Sequence, residues 1–130
     1  MQRTILITGC STGIGAALAA ELHRRGNRVY ATARRPETLA ALAVMGLETL
    51  PLDVNDDASI DEVMSHIENE AGQLDLLINN AGFSQVGAVV DLTRENLRKQ
   101  YETNVISPVA MTRADLPLLR AAQAAQAAHG

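Results

Sequence analysis

Thr8-Gly9-Cys10-Ser11-Thr12-Gly13-Ile14-Gly15 follows the apolar run Ile5-Leu6-Ile7 and opens a segment in which Ile14, Ala17, Leu18 and Leu22 recur at helical spacing. A strand running through a glycine loop into a helix is a geometry suited to holding a phosphate. Glycines let backbone approach an anion without a Cβ in the way, and the free amides and dipole of a helix start supply positive potential. Ser11 and Thr12 add hydroxyl donors. The spacing, G-x-x-x-G-x-G, differs from the G-x-G-x-x-G of the common dinucleotide fingerprint, so residues further along must decide between a phosphate loop and a mere tight turn.

Working outward, the strand-helix alternation repeats. Thr4 to Thr8 reads as a buried strand, and the helix after it ends before Gly26. Arg28 to Ala33 predicts a second strand; Pro36 suits the first turn of a helix carrying Leu39, Leu42 and Ala43, closed by Gly46. Leu47 to Val54 predicts a third, short strand. Ser59 and Glu62 then have capping-box spacing, and Ile60, Val63, Met64 and Ile67 form one apolar stripe that ends before Gly72. Leu74 to Ile78 is the fourth strand. Gly82 to Val90 reads as a loop, and Leu92 to Leu119 as a helix with a break or bend at Ser107-Pro108 and with Leu97, Tyr101, Val105 and Val109 on one face. The alanine-rich stretch from Ala121 to Ala128 either extends that helix or frays. Such alternation implies right-handed crossovers and a parallel sheet, hence a doubly wound α/β architecture.

At 130 residues, with 47% hydrophobic and 20% charged, the chain fits a single domain with a real core. Aromatic content of 2% makes that core aliphatic, as suits parallel strands covered by helices. A net charge of -4 argues against general binding to nucleic acid or to an anionic membrane. One cysteine, Cys10, excludes an internal disulfide, and no basic start followed by a long apolar run marks a leader or span, so the expected setting is the cytoplasm. His23, His66 and His129 lack metal-ligand spacing, and neither Ser11 nor Ser84 sits in a nucleophile elbow.

In open parallel sheets a dinucleotide lies across the carboxyl ends of the strands, which makes the residues after each strand informative. After the second comes Arg34-Arg35, where an NAD-specific protein places an acid to grip the ribose hydroxyls. Guanidinium pairs with a 2′-phosphate that a carboxylate would repel, so NADP(H) is expected over NAD(H); solvated surface arginines are the alternative. Asp53-Val54 offers a carboxylate to an adenine amino group and a side chain to pack beside the ring, and Asp53 reads equally as a turn or cap residue. Asn79-Asn80-Ala81-Gly82 combines small residues, for close backbone approach, with amides that can brace neighbouring strands.

The sequence resembles the short-chain dehydrogenase/reductase family, whose T-G-x-x-x-G-x-G loop and later N-N-A-G stand here as Thr8 to Gly15 and Asn79 to Gly82. The likeness runs to Leu119 and takes in Ala33-Arg34, Asp53 and the Asn104 of Thr103-Asn104-Val105. It implies a Rossmann-type sheet, incomplete at about four strands with flanking helices. It further implies that Gly9, Ser11, Gly13, Ile14 and Gly15, within the loop that also holds Thr8 and Thr12, surround a pyrophosphate, and that Arg34 meets the adenosine 2′-phosphate. Asp53 and Val54 would flank adenine. Asn80, Ala81 and Gly82 would lie along the adenosine and nicotinamide ribose side, and Asn104 matches the family's active-site asparagine, which holds a water in a proton relay.

The family completes its chemistry downstream with a serine and a Tyr-x-x-x-Lys helix, and this chain stops at Gly130. Tyr30 and Tyr101 have Arg34 and Val105 four positions on, and the single lysine is Lys99. The expectation is therefore one NAD(P)-binding domain truncated before that helix. Three functions stay open: the cofactor-holding part of an NADP(H)-dependent oxidoreductase acting on a carbonyl/alcohol pair, an inactive nucleotide-binding module, or one half of a split enzyme. Family sheets set the first strand centrally with the fourth beside it, which would leave Leu74, Leu76, Leu77 and Ile78 on an open edge. Homo-oligomers, or association through that edge and the 92–119 helix, are expected.

Overall fold

The computed structural model describes all residues, Met1–Gly130. Four strands, β1 (Thr4–Ile7), β2 (Arg28–Ala33), β3 (Glu48–Pro51) and β4 (Leu76–Ile78), pair in parallel in the order β3-β2-β1-β4. Side chains alternate across the sheet, so Ile5, Ile7, Val29, Ala31 and Ala33 enter one core layer while Leu6 and Tyr30 enter the other. Both faces are covered, which is why the strands read as unbroken apolar runs.

The first layer is closed by α1 (Gly13–Arg24) and by a 3₁₀ turn, Pro36–Leu39, leading into α2 (Ala40–Val44). The second is closed by α3 (Asp57–Ala71), which buries Ile60, Val63, Met64 and Ile67, and by α5 (Ser107–His129), which buries Met111, Leu118 and Ala122. Each fully buried Leu, Ile or Met contributes about 1.5–3 kcal/mol. Away from the strands' carboxyl ends, Arg28 donates to both oxygens of Glu48 at 2.7 and 2.9 Å across β2 and β3 and lies 5.3 Å over the Tyr30 ring, fixing the register of that pair.

Several local expectations are corrected. The cap of α3 is Asp56, whose carboxylate accepts from the Ala58 amide at 3.1 Å, because an aspartate is as good a cap as serine and the helix starts earlier. Ser59 instead accepts the Asp53 amide at 2.9 Å. On α1 the buried positions are Gly15 and Ala19, while Ala17 is exposed and Ile14 is 78% exposed: the helix presses its smallest residues on the sheet. The 92–119 segment is α4 (Arg94–Tyr101), a π-helical turn over Glu102–Ile106, and α5. The irregularity precedes Ser107-Pro108, since a proline in the first turn of a helix forfeits no hydrogen bond. Residues 121 to 129 continue α5, and Gln126 donates to Asp75 at 3.2 Å. Leu74 is fully buried and gives its amide to the Leu118 carbonyl at 3.1 Å, so the open edge is confined to β4.

Candidate dinucleotide-binding cleft

Parallel pairing brings the ends of all four strands to one side, and the segments following them line a cleft of about 830 Å³. Gly9, Ser11, Thr12 and Ile14 come from the β1 loop, Ala33 and Arg34 from β2, Leu52 to Asn55 from β3, and Asn80 to Phe83 from β4. Lys99 of α4 and Thr103 of the π turn complete the wall.

The β1 loop is held by contacts that only its own residues permit. Gly9 has φ +71°, and a Cβ there would lie 2.8 Å from the Ala81 Cα. A Cβ on Gly15 would overlap the Gly9 carbonyl and the Asn80 side-chain amide, so the start of α1 approaches the loop as closely as backbone allows. The Thr8 hydroxyl accepts from the Asn80 and Ala81 amides at 3.0 and 2.9 Å, and Asn80 Nδ2 donates to the Thr8 and Gly9 carbonyls at 3.1 and 3.0 Å. Cys10 points inward, donating to the Ile7 carbonyl at 3.4 Å; burial pushes its thiol up and leaves it a poor nucleophile.

The head of α1 differs from those of α3 and α4. Asp56 caps α3 and Thr93 with Asn96 forms a capping box on α4, whereas Thr12 makes no side-chain cap on α1 and the first turn carries no acid. The free amides at the start of a helix therefore face the cleft without an acceptor from this chain. That is what an anion requires. The fit extends to Arg34, which is exposed and takes part in none of the arginine ion pairs, all of which belong to Arg24, Arg25 and Arg28. Asp53 Oδ1 accepts the Asn55 amide at 3.0 Å, which steadies the carboxylate in the cleft wall.

Of the residues singled out in the sequence, Thr8, Gly13, Gly15 and Asn104 stand outside the lining. Thr8 is a brace, Gly15 a packing contact, and Gly13, at φ +62°, turns the loop into the helix. Asn104 lies in the π turn, accepting the Phe83 amide at 3.0 Å and donating to the Phe83 carbonyl at 2.7 Å. Residues that periodicity did not reveal are Asn55, Phe83, Lys99 and Thr103. Asn55 Nδ2 donates to the Thr103 hydroxyl at 2.9 Å and Asn55 Oδ1 accepts from Ser107 at 2.6 Å, contacts 48 and 52 residues apart in the chain.

Residues 3–128 match the family model described as short chain dehydrogenase. The chain belongs to the short-chain dehydrogenase/reductase family. A family member from Pestalotiopsis microspora is 42% identical over 119 residues, covering 91% of this chain and 43% of that one. The solved structure of a short-chain dehydrogenase from Streptomyces avermitilis superposes with a TM-score of 0.86 at 39% identity, over 92% of this chain and 45% of that. The structure of NADPH-bound carbonyl reductase from chicken fatty liver gives 0.85 at 33% identity, over 92% and 52%. This family member thus spans less than half the length of that curated relative. No helix in it is long and apolar enough to cross a membrane.

Proposed function

We propose that this chain binds NADP(H) and serves as the coenzyme-holding part of an oxidoreductase that interconverts a carbonyl and an alcohol. The observation that carries the coenzyme choice is Arg34: it follows β2, lines the cleft and has no carboxylate partner. A 2′-phosphate gains a charge-assisted, bidentate contact there. The NADPH-bound chicken relative supports the same choice.

When bound, the nicotinamide group supplies or takes up the hydride. The chain's own residues do the holding. Amides from Gly9 to Gly15 receive the diphosphate, with Ser11 and Thr12 as hydroxyl donors and Ile14 against the apolar part of the ligand. Asp53 accepts from the adenine amino group while Val54 packs beside the ring, and Asn80, Ala81 and Gly82 follow the riboses. Asn104 orients the Gly82-Phe83 segment, and each end of its amide retains capacity for one more bond, enough to hold a relay water. The unpaired Cys10 supports a reducing compartment, the cytoplasm.

The β4 edge and the apolar side chains Leu97, Tyr101, Val105, Ile106 and Val109, all 43–59% exposed, support association with a further copy of the chain or with other family segments. Calorimetric titration with NADPH and NADH tests the central reading. Tighter binding of NADPH is expected; equal affinities, or a preference for NADH, would remove the role assigned to Arg34.

A further inference from the structure

Thr103 and Ser107 stand on either side of Asn104 in the chain, and both reach Asn55. Asn55 Nδ2 donates to the Thr103 hydroxyl at 2.9 Å, and the buried Ser107 hydroxyl donates to Asn55 Oδ1 at 2.6 Å. Helical residues four apart share a face, so a single side chain takes hold of the π turn and of the first residue of α5 together. Asn104, next to Thr103 in the chain, faces elsewhere and exchanges two hydrogen bonds with the Phe83 backbone.

π turns are rare, and helix geometry in proteins is held chiefly by tertiary contacts. Here the π turn is tied to the segment after β3 through Asn55 and to the segment after β4 through Asn104 and Phe83, while Gln100 of α4 accepts the Gln85 amide at 2.6 Å. The two anchors differ in firmness. Around Asn55 the backbone is fixed independently: the Leu52 amide donates to the Ala33 carbonyl at 2.9 Å, the Asp53 amide to Ser59 at 2.9 Å and the Asn55 amide to Asp53 Oδ1 at 3.0 Å. Phe83, beyond the end of β4, has both its amide and its carbonyl bonded to Asn104. Position is therefore handed outward from Asn55 to the π turn, from there to Asn104, and from Asn104 to Phe83.

We infer that Asn55 is a positioning residue: through Thr103 and Ser107 it sets the rotation of the π turn, and with it the place of the Asn104 amide and of the Phe83 segment in the cleft. The inference rests on the reading of Asn104 as the residue that holds a relay water. In that reading Asn55 joins the two ends of the coenzyme site, its backbone amide steadying Asp53 beside adenine and its side chain governing the reacting end.

Phe83 supplies the probe. It is the sole phenylalanine of the chain, so labelling with nitrogen-15 phenylalanine gives a single backbone amide resonance whose shift and solvent exchange report the bond to Asn104. Asn104→Ala marks the position of the unbonded amide. Asn55→Ala, a truncation at an exposed residue that keeps its own backbone bonds, should move the resonance toward that position and speed its exchange about tenfold. Thr103→Val combined with Ser107→Ala removes the same bonds from the other side and should do the same. Asn55→Asp, whose carboxylate accepts from both hydroxyls, should return the resonance most of the way. A melting temperature lowered by Asn55→Ala with the Phe83 resonance unmoved is the outcome of a purely structural role and overturns the inference, as does a shift that Asn55→Asp fails to reverse. NADP+ added to the same samples reads the coenzyme proposal separately. If the unaltered protein does not bind it, that proposal falls and takes the part of Asn55 in a reaction with it; NADP+ binding beside a Phe83 resonance indifferent to Asn55→Ala overturns the positioning alone.

Discussion

Thr8 and Asn80 hold each other twice, the Thr8 hydroxyl accepting the Asn80 amide at 3.0 Å while Asn80 Nδ2 returns a bond to the Thr8 carbonyl at 3.1 Å. The Thr8 hydroxyl also takes the Ala81 amide at 2.9 Å, so one 1%-exposed side chain ties the end of β1 to the end of β4. Thr8→Val keeps the shape and removes the acceptor, leaving the Ala81 amide unsatisfied at about 1–3 kcal/mol, while the Asn80 amide keeps the Ile78 carbonyl at 3.1 Å. We expect a melting temperature lower by several degrees, recovered in Thr8→Ser. Calorimetric melts that coincide for Thr8→Val and the unaltered protein would contradict the brace.

Gly15→Ala and Gly13→Ala separate crowding from backbone strain. The Gly15 Cβ would meet the Gly9 carbonyl and the Asn80 amide, whereas the Gly13 Cβ meets nothing within 4 Å and has only its φ of +62° against it. For Gly13→Ala a loss of about 1 kcal/mol is expected, the usual penalty of left-handed backbone. Gly15→Ala should lower stability further and cut NADPH affinity at least tenfold, because the loop itself is displaced. Paired thermal melts and titrations check the order.

Arg34→Asp inverts the charge that meets the 2′-phosphate. A carboxylate there repels a phosphate and accepts from ribose hydroxyls, so NADPH affinity should fall by about tenfold or more and the preference should pass to NADH. Comparing the two dissociation constants before and after the substitution is the measurement.

Asp115 gives stability a pH dependence. It is fully buried on α5, neither carboxylate oxygen has a partner, and burial raises its pKa from 3.8 to about 7. The unfolded chain therefore ionises first. Stability from the neutral acid is complete below about pH 4 and is lost as pH rises toward 7, a change of roughly 4 kcal/mol at ~1.4 kcal/mol per unit. Asp115→Asn should abolish that slope, and Asp115→Leu should raise the melting temperature near pH 8, since an uncompensated buried charge is replaced by an apolar group. Melts of the three proteins between about pH 4 and 8 decide it.

Much of this was legible in the chain. Apolar strands such as Ile5-Leu6-Ile7 between glycine-closed helices fixed the three layers, and the residues after each strand marked ten of the cleft's lining positions. What stayed hidden has physical reasons. Asn55 and Thr103 meet through tertiary packing that no local period records. The π turn at Glu102–Ile106 widens one helical turn by a residue, too small a change to break the spacing of Leu97, Tyr101 and Val105. Ile14 mimics a core residue because a cleft wall for a largely planar ligand is apolar too. Asp56 and Ser59 are equally good caps, and only the strand before them selects between the two.

The uncapped head of α1 makes occupancy and folding one measurable quantity. A ligand that supplies the missing acceptors binds the native state alone, so at a hundredfold excess over its dissociation constant it adds roughly 2.7 kcal/mol to unfolding. Melting curves recorded against rising concentrations of dinucleotide, or of simple phosphate, then serve as a titration in which heat resistance reports how full the cleft is.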